Sequence, residues 1–124
     1  MRTAARVLAG FNAFYQGVVG ALCIAAPVIA AGAFKVPGDV ASSRGMVRIV
    51  GGLLVANAVA LAVFARDPEK NPSLAAVLSA GAIANVTADI LICSSGDMAW
   101  SQLGVGIGAQ VAMLIPLLAY SIRK

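Results

Sequence analysis

The stretch Met46 to Ala65, MVRIVGGLLVANAVALAVFA, decides the fold of this chain. It runs for 20 residues with one charged side chain, Arg48, and one carboxamide, Asn57. At about 1.5 Å per residue, a helix of this length reaches across the ~30 Å hydrocarbon layer of a bilayer. It is apolar on every side, which argues for lipid contact rather than for one face packed on a soluble core.

Working outward, three more runs share this character: Val7 to Ala33, Leu74 to Cys93 and Leu103 to Ile122, of 27, 20 and 20 residues. Between the four lie Phe34 to Gly45, Arg66 to Ser73 and Ser94 to Gln102, which collect the turn formers Pro37, Gly38, Pro68, Asn71, Pro72 and Gly96. Inside lipid the backbone must satisfy its own hydrogen bonds, so each run reads as a helix. Pro27 and Pro116 are expected to kink or end theirs. The expected architecture is all-α: one domain over residues 1–124, a four-transmembrane-helix bundle running up-down-up-down.

Composition agrees. Of 124 residues, 60% are hydrophobic and 11% charged, against roughly a quarter charged in a soluble domain. So few charges cannot cover a soluble fold of this size. With no histidine, imidazole bases and His-ligated haem or zinc are excluded. Cys23 and Cys93 lie in apolar runs without metal-ligand spacing and read as packed thiols. The net charge of +4 comes from nine scattered basic residues, which form no stripe for nucleic acid.

Four spans put both ends of the chain on one side. Arg2, Arg6, Arg66, Lys70, Arg123 and Lys124 fall there, against Lys35, Arg44 and Arg48 on the other side. The positive-inside rule then places both termini in the cytoplasm. The rival reading takes residues 1–33 as a cleavable signal, with Arg2 and Arg6 ahead of an apolar stretch ending in Ala31-Gly32-Ala33. Its length, Asn12 and Gln16 speak against that.

Two residues within the expected spans carry charge at neutral pH, Arg48 and Asp89. By residue count they sit at similar heights, roughly 26 and 22 Å above the cytoplasmic end. The short Arg66 to Ser73 connection makes their helices neighbours, so a pair is expected, because an isolated charge at that depth is costly. Four residues from each stand Arg44 and Asn85, giving two facing polar columns. Asp97, Trp100, Gln102, Asp39 and Gln110 extend these into a pocket opening away from the cytoplasm. Deeper, Asn12, Tyr15, Gln16 and Asn57 make a second, uncharged set.

Each feature has a purely structural explanation as well. An Arg–Asp pair can serve only to fix helix register, Trp100 suits an interfacial belt, and Asn, Gln and Tyr in spans often join helices. The rows Ala13, Gly17, Ala21, Ala25 and Gly104, Gly108, Ala112 suit close helix packing, within one chain or in a homo-oligomer. Arg66, Asp67, Glu69 and Lys70 form a solvated turn.

Chemically, a carboxylate held ionised by Arg48 could serve as a general base at Asp89, with Asp97 or the Tyr15 phenol as acid. Isomerisation, cyclisation or epoxide opening of a lipophilic substrate needs no more than this, and neither cofactor nor metal enters. Asn85, Arg44, Tyr15, Gln16, Asn57, Trp100 and Gln110 are the candidate substrate-binding residues.

Tyr15-Gln16-Gly17-Val18-Val19-Gly20, the Ala26-Pro27 pair and the segment Arg44 to Gly52, with Arg48 ahead of Gly51-Gly52, resemble the small four-helix membrane proteins grouped as DoxX-like. The resemblance covers chiefly the first half. It implies a four-helix membrane fold and, for some members, an auxiliary enzymatic role in a small-molecule pathway. Small multidrug exporters resemble one another through a glutamate in their first helix, whereas the sole glutamate here is Glu69 in a loop. The Arg- and Glu-rich helical motif of membrane glutathione-handling proteins is missing as well.

The leading expectation is a protein that sits in the lipid bilayer and binds a lipophilic small molecule, as a cofactor-free isomerase, cyclase or hydrolase. A transport or channel subunit and a non-catalytic assembly subunit stay open beside it.

Overall fold

The computed structural model describes residues 1–33, 40–96 and 98–123, with side chains from 44 onward in the second of these segments. Five α-helices follow one another: α1 (Arg2–Ala25), α2 (Pro27–Ala33), α3 (Val40–Arg66), α4 (Pro72–Ser94) and α5 (Trp100–Ser121), with a 3-10 turn at Pro68–Lys70 between α3 and α4. No strand occurs among the described residues. Four stretches are long and apolar enough to cross a membrane: Arg2–Ala25, Arg44–Arg66, Pro72–Ser94 and Trp100–Ser121. This is an all-α four-helix bundle of membrane-protein character.

Boundaries differ from expectation where local chemistry intervenes. The first run is two helices, not one. Pro27 has no N–H to give and its ring crowds the preceding turn, so Ala26 leaves the helical region (φ −136°, ψ 65°) and α1 stops at Ala25. Pro116, by contrast, lies inside α5, which continues to Ser121. The expected loop before Met46 is helical from Val40 onward, while Lys35 and Asp39 lie outside the described residues. Trp100 and Gln102, expected in a loop, open α5. There the Gln102 side chain accepts the Ala99 N–H at 2.8 Å, satisfying a donor the helix leaves free.

The helices associate as two pairs, α1 with α3 and α4 with α5. Along the first seam the backbones nearly touch: a methyl group on Gly51 would stand 2.7 Å from the Gly20 carbonyl oxygen. One turn on, a methyl on Gly17 would stand 3.6 Å from Ala58 Cβ. The first small-residue row therefore contributes Gly17 to the seam, while Ala21 and Ala25 are exposed and Gly20 takes their place. In the second row, Gly104 and Gly108 face open space.

One cluster of buried side chains joins all four spans: Ala5 and Ala9 of α1, Leu61 and Phe64 of α3, Ala75 and Leu78 of α4, and Met113, Leu117 and Tyr120 of α5. Its members come from the start of α1 and α4 and the end of α3 and α5, so the core sits at the end of the bundle that carries the termini. Phe64 and Tyr120 meet edge to face at 5.8 Å. Arg6 Nε donates to the Ala65 carbonyl at 3.1 Å, one of the carbonyls the end of α3 leaves unpaired. Farther up, the pairs draw apart: Val50, on the same helical stripe as Asn57 and Leu61, is 47% exposed. A gap thus opens above the core, and it positions the polar residues.

Candidate functional site

At the floor of that gap lies a cavity of about 20 Å³, enough for a single water molecule or one polar group of a larger molecule. Leu61, Leu78, Met113 and Leu117 form its apolar base, with Ala82 beside them. Its polar wall is made by five carboxamides drawn from all four spans: Asn12 and Gln16 of α1, Asn57 of α3, Asn85 of α4 and Gln110 of α5.

Helical spacing brings them there. Asn12 and Gln16 are one turn apart on the face of α1 that buries Ala5 and Ala9. Residues 78, 82 and 85 recur along one stripe of α4, and 110, 113 and 117 along one stripe of α5. Asn12 and Gln16 are themselves buried, an expensive placement for carboxamides unless they are bonded. Accordingly Asn12 Nδ2 donates to the Leu8 carbonyl at 2.9 Å, and Asn57 Nδ2 donates to Gln16 Oε1 across the α1–α3 seam. No hydrogen bond within the described residues engages the side chain of Asn85 or Gln110. Each offers two donors and an acceptor to the cavity.

The two polar sets expected from sequence are therefore divided differently. Asn85 and Gln110 join Asn12, Gln16 and Asn57 in one uncharged site. Tyr15 does not belong to it: it is 44% exposed and is absent from the lining. Trp100 is 53% exposed at the start of α5, away from the cavity. Asp97 lies outside the described residues.

The expected pairing of Arg48 with Asp89 is not made. Among the described residues the one ion pair is Lys70 with Asp67, at 3.2 Å in the turn between α3 and α4. Height is not the obstacle; direction is. Nine residues separate Arg48 from Asn57, and at about 100° per residue that is half a turn, so Arg48 points away from the cavity side of α3. It shares a face with Gly51, three residues on, and that face turns toward α1. Arg44, one turn further, is exposed on the same side. Asp89, in contrast, continues the stripe of Leu78, Ala82 and Asn85 and is half-buried one turn above Asn85. The charged columns thus face different directions, and only the α4 column borders the gap.

Asn12 is the lining residue that sequence reasoning left out of its candidate binding set. Its position one turn before Gln16 was the available signal. The cysteines are both buried free thiols, and no cluster of metal-ligating side chains occurs among the described residues. No family model matches the chain, and no curated protein or solved structure matches it.

Proposed function

We propose that this protein binds a lipophilic small molecule by one neutral, hydrogen-bonding end. The carboxamides would hold a carbonyl or hydroxyl in the cavity, and the gap between the helix pairs would take the apolar body. The observation that carries this reading is the convergence of a carboxamide from every span on one cavity, with Asn85 and Gln110 lacking partners. Carboxamides acting only to join helices would be expected to bond one another, as Gln16 and Asn57 do. Uncharged groups that both donate and accept suit a neutral polar end better than an ion.

Should the bound molecule be turned over without a cofactor, as an isomerase, cyclase or hydrolase would do, Asp89 is the base in reach of the gap, and the DoxX-like resemblance of the first half is consistent with such a role. We place both termini in the cytoplasm on the count of six basic residues against three; reporter fusions at each end test it.

The binding reading is tested by purifying the wild type and Gln110→Leu from the same membranes and comparing their solvent-extractable molecules by mass spectrometry. A carbonyl- or hydroxyl-bearing lipophile near one per chain in the wild type, and at least tenfold lower in the variant, is expected. Identical extracts from two folded proteins would overturn the assignment.

A further inference from the structure

Arg48 and Asp89 lie on different faces of the molecule, and among the described residues neither has an ion-pair or hydrogen-bond partner. Their heights nevertheless agree. Arg48 stands 18 residues before Arg66 at the end of α3, and Asp89 stands 17 after Pro72 at the start of α4. At 1.5 Å per residue these are about 27 and 26 Å along their helices. Two opposite charges left single at one level of an apolar slab are costly, and each is what the other lacks.

The surface around each charge is made of small residues. On α3, Arg48 is flanked by Gly45, Gly52 and Ala56, all exposed, and an added methyl at either glycine would meet nothing within 4 Å. On α4, the exposed Gly81, Ala84 and Ala88 lie beside Asp89. Surfaces of this kind let helices approach closely in lipid. A two-fold axis along the membrane normal preserves height, and it carries the Arg48 face of one copy onto the Asp89 face of another, and the reverse. Equal height is therefore a requirement of such a pairing, and the two residues meet it.

We propose that the occupant of these faces is a second copy of this chain, in a two-fold dimer where Arg48 of each copy pairs with Asp89 of the other. The dimer closes the gap from above and stands independently of whether a small molecule fills it.

Exchanging charges gives the test. In lipid nanodiscs the wild type is a dimer by single-molecule photobleaching. Arg48→Asp and Asp89→Arg, expressed alone, each bring two like charges to both contacts, and their dimer fraction falls at least tenfold. Co-expressed with different tags, the same variants restore both contacts and copurify at one to one, which no pairing within a chain could produce. A monomeric wild type, or a dimer that both variants leave intact, overturns the proposal. Should either variant fail to reach the membrane, disulfide trapping replaces it. With Cys23 and Cys93 changed to Ala, Gly52→Cys in one tagged chain is expected to cross-link to Ala84→Cys or Ala88→Cys in the other. Absence of both cross-links in membranes holding both chains counts equally against it.

Discussion

Gly20 and Gly51 meet backbone to backbone where α1 crosses α3: a methyl on either would stand within 2.8 Å of the other's carbonyl oxygen. Backbone cannot step aside as a flexible side chain can, so a methyl at either position must part the helices. Gly51→Ala is expected to cost about 1–3 kcal/mol, as overpacking in a close-packed interior does. Gly10, on α1 with open space around it, is the control. Gly10→Ala should be neutral or slightly stabilising, since alanine suits a helix better than glycine. Reversible unfolding in mixed micelles reads both.

The Asn57–Gln16 hydrogen bond ties the polar site to the same seam. A double-mutant cycle of Asn57→Leu and Gln16→Leu should give a coupling of about 0.6 kcal/mol, reaching no more than about 1.7, because carboxamides freed inside a membrane find other partners. A coupling near zero would mean that the two side chains are held by the fold independently of each other.

The extent to which these features could be read in the sequence follows from which physical quantity each depends on. The spans depend on length and hydropathy, both local, and the stretch from Met46 to Ala65 showed them directly. The break at Pro27 depends on one residue's missing N–H and was likewise visible. The pairing assigned to Arg48 and Asp89 depended on height, which residue counting supplies, and on direction, which it does not. Taking Asn57 as a cavity residue and counting back nine positions would have turned Arg48 away. Nothing in the sequence said that Asn57 faces the cavity until Gln16, Asn85 and Gln110 were placed around it. The Gly20–Gly51 crossing was hidden for another reason: thirteen glycines offer many equivalent seams, and choosing among them needs the packing of whole helices.

At the end bearing the termini, Phe64 and Tyr120 are both fully buried and meet edge to face at 5.8 Å, with the Arg123 guanidinium 4.4 Å from the Tyr120 ring centre. Such ring contacts add about 0.5–1.5 kcal/mol beyond burial. A cycle of Phe64→Leu and Tyr120→Leu should return a coupling in that range. Arg123→Ala should cost about 0.5–1 kcal/mol, as an exposed cation over a ring does, while leaving the Phe64–Tyr120 coupling in place.

Outside the spans, Asp67 supplies a pH dependence whose sign can be worked out. The hydrogen bond from Lys70 is the main reason its carboxyl lies below the usual carboxylate range; the Lys70 and Arg2 charges lower it further, against a small opposing effect of desolvation. A carboxyl depressed on folding favours the folded state while it is ionised. That contribution is present above its unfolded value of about 4 and is lost as pH falls through the lower folded value. Because the pair sits in an exposed turn, the effect on stability should be small and weakened by salt. The titration itself is the sharper readout. Carbon-13 NMR of the Asp67 carboxyl should show a midpoint below the usual range in the wild type, a rise toward it in Lys70→Ala, and a smaller rise in Arg2→Ala. A midpoint that Lys70→Ala leaves unmoved would mean that the 3.2 Å contact does not persist in solution.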